Sequence, residues 1–133
     1  MTEMDMYAEN ILEHYRHPQN KGTLPKHDIS FKDNNPLCGD EIEIQVLLEK
    51  DKVKDIRFDG KGCAISQAAA SMLTEMVKGK TLKEVLGMDK QELLDTLGVQ
   101  LSAVRLKCGL LAYKVLKAGV CKRLHVEMSE GEI

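Results

Sequence analysis

The feature that most constrains the fold is a strictly alternating segment at residues 41–48. Every second position of this segment is apolar: Ile42, Ile44, Val46 and Leu48. A period of two is typical of a β-strand with one buried face. A charged turn follows at 49–52, and a second run at 53–59 directs Ile56 and Phe58 to one side. Together these segments predict an antiparallel hairpin.

Most of the other segments have apolar residues at the spacing of a helix. Helices are predicted over residues 4–15, 64–77, 82–86, 89–97 and 103–118, the last of them ended by Gly119. Residues 19–26 are predicted as a loop, and 28–33 as a short edge strand. The predicted fold class is α+β: a small antiparallel sheet of about three strands, packed on one face by helices, with an N-terminal helix and a long C-terminal helix. No repeat or linker interrupts residues 1–133, so a single domain is expected.

The hairpin brings two cysteines to one place. If Leu48 pairs with Val53 and no bulge intervenes, Cys38 falls opposite Cys63 at the open end, with Asp40 beside them. Directly opposed residues lie about 4.5–5.5 Å apart, which suits two ligands of one metal ion. Cys63 also begins a predicted helix, where free N–H groups and the helix dipole favour a negatively charged sulfur.

Cys108 requires a tertiary argument. It lies near the start of the last predicted helix, on an apolar stripe that is expected to be buried: Val104, Cys108, Leu111 and Val115. This stripe would turn the thiol inward toward the end of the sheet. The flanking Arg105 and Lys107 supply positive charge that favours a thiolate. Alternatively, Cys108 is a small buried apolar residue, as lone cysteines on helices often are.

Composition excludes several classes of function. The formal net charge of −2 is unlike that of most nucleic-acid-binding proteins, so no nucleic-acid partner is expected. There is no apolar run of about 18 residues, and the acidic N-terminus is unlike a secretory signal, so a cytoplasmic protein without a membrane partner is expected. Its thiols would stay reduced, which favours metal-binding or reactive cysteines over disulfides. No role is predicted for Cys121 or for the four histidines.

Four motifs, taken in order, resemble a known family. They are Asn-Ile-Leu-Glu-His-Tyr-Arg-His-Pro-Gln-Asn-Lys-Gly at 10–22, Asn-Pro-Leu-Cys-Gly-Asp at 35–40, Phe-Asp-Gly-Lys-Gly-Cys-Ala-Ile-Ser at 58–66 and Arg-Leu-Lys-Cys-Gly-Leu-Leu-Ala at 105–112. The set resembles the IscU/SufU/NifU N-terminal family of iron–sulfur cluster assembly scaffolds over nearly the full length. Each motif alone would be weak, whereas the ordered set is specific.

The resemblance implies a ligand set and partners. Cys38, Asp40, Cys63 and Cys108 would hold iron and a transient [2Fe–2S] cluster, or zinc as in some members. A cysteine desulfurase would deliver sulfur as a persulfide to Cys108, with Cys38 as the alternative acceptor, and apo iron–sulfur proteins or carrier proteins would receive the cluster. Thiolates bind iron or zinc firmly, whereas the harder carboxylate is more easily exchanged.

Subfamily features leave more than one function open. Lys107 and Arg105 look like the SufU-type pattern, in which the protein is a zinc-dependent sulfurtransferase, but the short spacing from Cys63 to Cys108 is IscU-like. The sequence at 101–105 differs from the segment that IscU-type proteins offer to a dedicated Hsp70-type chaperone, so that partner is not implied. A non-enzymatic scaffold is the first hypothesis and a zinc sulfurtransferase the second. A structural zinc module is a third, against which stands the absence of CxxC pairs.

Overall fold

The computed structural model describes residues 3–36 and 39–126, without the side chains of residues 3–5. The elements, in chain order, are α1 (Glu3–Arg16), β1 (Ile29–Asn35), β2 (Asp40–Glu49), β3 (Lys52–Lys61), α2 (Ala64–Val77), α3 (Leu82–Leu86), α4 (Lys90–Leu97) and α5 (Ala103–Leu124). The three strands form one antiparallel sheet in the order β1-β2-β3. The predicted α+β fold class is confirmed, and the predicted edge strand is β1.

The predicted hairpin is formed by β2 and β3. Leu48 pairs with Val53 as expected, and the central residues of the turn at 49–52 have positive φ values of 53° and 62°, as in a two-residue hairpin turn. A bulge then follows, so that Leu47 pairs with Asp55. The register at the open end therefore differs by one residue from that of the unbulged hairpin.

One face of the sheet is covered by helices. Helix α5 packs on β1 and β2, α2 packs on β3 and on α5, and α1 packs on α2. The inward side chains of the hairpin are fully or almost fully buried: Ile42, Ile44, Val46, Ile56 and Phe58. Because alternate residues of a strand point to opposite faces, the period of two in the sequence is accounted for by this single covered face.

Helix α5 is longer than the sequence predicts. It passes through Gly119 and ends only at Leu124, where His125 adopts a left-handed conformation with φ of 58°. A Cβ at Gly119 would lie 2.9 Å from Cγ2 of Ile29 and 3.2 Å from Cβ of Phe31. The prediction that Gly119 ends the helix is wrong, because this glycine instead allows α5 to approach β1 closely.

The start of α5 also differs from the expected pattern. Residues 103–107 are all exposed, Val104 at 52%, and the helix becomes buried only at Cys108. The predicted buried stripe therefore begins one turn later than expected. Cys121 lies inside α5 and is buried, not beyond its end.

Within the described part of the chain, no helix combines the length and the hydrophobicity that crossing a membrane requires.

Replacing Gly119 with leucine should destabilise the protein by about 1–3 kcal/mol, because the added side chain must displace β1 from α5. Urea denaturation followed by circular dichroism measures this change. Lys122→Leu, at an exposed position of the same helix, is the control and should change stability by less than about 0.5 kcal/mol. A Gly119→Leu protein as stable as the parent would contradict the close-packing role of this glycine.

Candidate metal centre

Asp40 is the acidic residue at the centre of the candidate site. It is the first residue of β2, and it is fully buried at 0% exposure. Its Oδ1 atom accepts a hydrogen bond of 2.9 Å from the backbone N–H of Cys63, whereas its Oδ2 atom has no hydrogen-bond partner among the described residues. A buried carboxylate oxygen without a donor costs free energy, which a bound cation would recover.

Cys63 is the N-cap residue of α2. Its backbone is extended, and its side chain makes no capping hydrogen bond, so the sulfur is not engaged by the helix end that follows it. The helix N-terminus favours negative charge; the first turn of α2 holds no acidic residue, and the Asp40 carboxylate is bonded to the N–H of Cys63. Cys63 is half-buried, so it is the more accessible of the two site cysteines that the structure describes.

Cys108 reaches the site from α5. It is fully buried, with 0% exposure. The side-chain amide of Asn35, the last residue of β1, lies 3.9 Å from its sulfur and is oriented to donate a hydrogen bond. Helices α2 and α5 and strand β2 therefore supply donor atoms at one end of the sheet, and β1 supplies a contact to one of them.

The donor atoms of Asp40, Cys63 and Cys108 all lie within 4.8 Å of one another. Two tetrahedral ligands at about 2.3 Å from a zinc ion lie roughly 3.8 Å apart, so only a small contraction would bring these atoms onto one ion. Two sulfurs and one carboxylate oxygen form a donor set that suits zinc or iron. The residues present therefore fit zinc or iron, the two metals that the family resemblance implies.

The neighbouring acid, Glu41, is engaged elsewhere. Its carboxylate accepts a hydrogen bond of 2.9 Å from the Lys32 ammonium on the adjacent strand. This hydrogen bond, together with the charges of Lys32 and Lys61, holds the pKa of Glu41 below its ordinary value. Alternation along β2 turns Glu41 away from the core and Asp40 into it, which explains why only Asp40 joins the two cysteines.

Glycine at position 62 makes the site sterically possible. A Cβ there would lie 2.3 Å from Oδ1 of Asp40 and 2.5 Å from Oγ of Ser66, and the backbone has a φ of 157°. In the sequence, Gly62 is only the glycine that precedes Cys63 in the third motif. Its role, as the space in which the Asp40 carboxylate lies, could not be read from the motif.

Three of the four predicted ligands are thus brought together. The fourth, Cys38, lies outside the described residues. Arg105 and Lys107 are exposed, whereas Cys108 is buried, so their predicted effect on its thiol stays a prediction. Asn35 was missed by the sequence analysis, because no periodicity or spacing distinguishes a buried asparagine from an exposed one in a turn motif.

The histidines belong to no metal-binding group in the described residues. Nδ1 of His14 lies 2.7 Å from Oγ of Ser71, and its Nε2 lies 3.6 Å from Glu75, so this ring joins α1 to α2. The other three histidines are exposed.

Comparison with known families gives a match over most of the chain. Residues 6–128 match the model of the family described as NifU-like N terminal domain. The chain is 38% identical to the zinc-dependent sulfurtransferase SufU of Bacillus subtilis, over 88% of this chain and 90% of that protein. It is 31% identical to the iron–sulfur cluster assembly scaffold protein IscU of Haemophilus influenzae, over 86% of this chain and 92% of that protein.

A solved structure has the same fold. The chain resembles the crystal structure of a putative iron–sulfur cluster assembly scaffold protein for the SUF system from Fervidobacterium islandicum AW-1, with a TM-score of 0.74 and 28% identity. The match covers 90% of this chain and 99% of that one.

Replacing Gly62 with alanine should weaken zinc binding by at least about tenfold, because the methyl group would displace the Asp40 carboxylate. The zinc affinity is measured by competition with a chromophoric chelator. Gly79→Ala is the matched control: its φ of 89° is also one that other residues rarely adopt, but an added Cβ there meets no atom within 4 Å. Equal zinc affinities of the two variants would contradict the role of Gly62 in forming the site.

Proposed function

Because this chain belongs to the NifU-like N-terminal domain family, we propose that it is an iron–sulfur cluster assembly scaffold. It accepts sulfur from a cysteine desulfurase together with iron, builds a [2Fe–2S] cluster and passes it to apo-proteins or carrier proteins. Cys38, Asp40, Cys63 and Cys108 are the proposed ligands. The observation that carries the proposal is the convergence of Asp40, Cys63 and Cys108 within 4.8 Å, around a carboxylate oxygen without a hydrogen-bond donor.

The mixed donor set suits a cluster that is cargo. Thiolates hold iron strongly, while a carboxylate is a harder and more readily displaced ligand. Asp40 can be held in place and still bind a metal, because its Oδ1 accepts a hydrogen bond from the N–H of Cys63 and its Oδ2 has no such partner. An incoming thiolate of an acceptor protein would displace the carboxylate first.

The different burial of the cysteines suggests how the site is entered. Cys63 is half-buried, whereas Cys108 and Asp40 are fully buried. Iron and the acceptor protein would therefore approach from the side of Cys63. Asp40 and Cys108 would form the part of the site from which water is excluded.

Sulfur transfer follows ordinary thiol–disulfide chemistry. A cysteine thiolate of this chain attacks the terminal sulfur of the desulfurase persulfide, a new S–S bond forms, and the desulfurase cysteine leaves as a thiolate. Cys108 is the proposed acceptor, with Cys38 as the alternative. Because Cys108 is fully buried, transfer to it requires a local movement that exposes its sulfur. Reduction of the bound sulfur to sulfide then draws electrons from iron(II) and an external reductant.

The scaffold function can be tested by anaerobic reconstitution with iron(II), L-cysteine, a cysteine desulfurase and dithiothreitol. We expect visible absorption from a thiolate-bound cluster and transfer of that cluster to an apo-ferredoxin. Asp40→Ala should slow the transfer by about tenfold, because the ligand at which exchange begins is removed. Glu41→Ala is the control, since Glu41 pairs with Lys32 and turns away from the site.

Two results would contradict this proposal. Metal bound without transfer to the ferredoxin would exclude the scaffold function. Transfer from Asp40→Ala at the parental rate would exclude the carboxylate as the exchangeable ligand.

A second candidate function is zinc-dependent sulfur transfer, with the same residues holding zinc. It is favoured by the 38% identity to the zinc-dependent sulfurtransferase SufU and by Lys107 and Arg105, which follow the SufU-type pattern. Bound zinc would keep its cysteine ligands as thiolates and would undergo no redox change. The alignment with SufU spans 134 positions, although it includes only 88% of the 133 residues of this chain. It therefore contains gaps at which SufU has residues that this chain lacks.

Under the second candidate function, zinc-loaded protein should raise the turnover of a cysteine desulfurase, measured as alanine released from L-cysteine. Cys38→Ser should abolish that increase, because the thiol that collects sulfur is lost. Cys121→Ser is the control, since Cys121 lies far along α5 from Cys108 and should leave the stimulation unchanged. A parental protein without any effect on the desulfurase would exclude this function.

A further inference from the structure

We infer that Asn35 is a positioning residue for the metal-bound thiolate of Cys108. Its side-chain amide donates an N–H···S hydrogen bond that sets the orientation and the electron donation of this sulfur. The inference rests on the proposed function, because it assigns a role within the same metal centre. Asn35 itself is not a proposed ligand.

The burial of Asn35 is the first observation. Asparagine is uncommon in strands, and a buried amide costs free energy unless it is hydrogen-bonded. Asn35 ends β1 at 7% exposure, and its Nδ2 atom lies 3.9 Å from the sulfur of Cys108. An apolar residue at this position would satisfy the packing of the sheet end, but it could not donate to sulfur.

The position of Asn35 in the sheet is the second observation. Asn35 is the register partner of Asp40 across β1 and β2, and its backbone carbonyl accepts a hydrogen bond of 2.9 Å from the N–H of Gly39. The same residue therefore contacts the chain that leads into Asp40 and the thiol of Cys108. It connects a ligand on the sheet with a ligand on α5, two elements that could otherwise shift relative to each other.

The neutrality of the amide is the third observation. An amide donor lowers the electron donation of a metal-bound thiolate without adding a charge to the buried site. Arg105 and Lys107, the cationic side chains closest to Cys108 in the sequence, are exposed and therefore screened by solvent. Asn35 is thus better placed than either of them to act on the sulfur.

The test uses the full-length protein and two substitutions of Asn35. Asn35→Leu keeps the branching at Cγ, in a somewhat larger side chain without a donor, and Asn35→Ala removes the side chain beyond Cβ. Both should weaken zinc and cobalt(II) binding by about tenfold, as loss of a hydrogen bond to a metal ligand typically does. In the cobalt(II) forms, the sulfur-to-cobalt charge-transfer band should move to longer wavelength, because the sulfur becomes a stronger electron donor. Asn34→Leu, at the exposed neighbouring position, is the matched control.

A measurement on the parental protein keeps the test independent of whether the variants fold. In protein loaded with a spin-half cadmium isotope, a side-chain amide proton of Asn35 should show a scalar coupling to the metal through the hydrogen bond. This coupling should disappear in Cys108→Ser. A merely structural asparagine would produce neither the coupling nor the shift of the cobalt band.

The outcomes separate this inference from the proposed metal centre. Zinc affinities within twofold of the parent in both Asn35 variants, with an unchanged cobalt band, would overturn the role of Asn35. Absence of the cadmium coupling would overturn it even if neither variant folds. If Cys108→Ser itself binds zinc as tightly as the parent, the proposed metal centre fails, and the inference fails with it.

Discussion

The hydrogen bond between the Cys63 N–H and Oδ1 of Asp40 is the interaction on which the candidate site depends. It joins the first residue of β2 to the N-cap of α2. It therefore fixes the position at which the chain leaves the hairpin and enters α2. Oδ1 is engaged by this bond, whereas Oδ2 has no hydrogen-bond partner among the described residues. The bond requires Gly62, since any Cβ there would occupy the space of the carboxylate.

The third donor depends on a different contact, the close approach of α5 to β1. Gly119 permits this approach at one end of β1, and Asn35 meets Cys108 at the other. The helix thus lies against the edge strand along its length, and its second turn places a buried thiol at the end of the sheet. A metal centre formed in this way draws one donor from each of three elements. Its geometry therefore depends on the packing of the whole helical layer.

The sequence predicted the elements well where the signal was local. The alternation at residues 41–48 identified β2, and the bounds of α2 and α3 agreed with prediction. The bulge between Leu47 and Leu48 could not be located from the sequence, because the apolar residues of a bulged strand keep nearly the same pattern as those of a regular one. The extension of α5 past Gly119 was missed because glycine usually ends a helix, and only the contact with β1 shows why it lies within this one.

For the site, the sequence by itself determined the chemical identity of the donors. Cysteines in glycine-containing turns and an aspartate at the start of a strand are recognisable in the motifs, and the hairpin brings Asp40 to Cys63 through short-range pairing. Only the tertiary structure decided that Cys108 joins them and that Asn35 contacts its sulfur across 73 residues of chain. The physical reason is that strand alternation is encoded in neighbouring residues, whereas the approach of α5 to the sheet results from the packing of all the buried side chains between them.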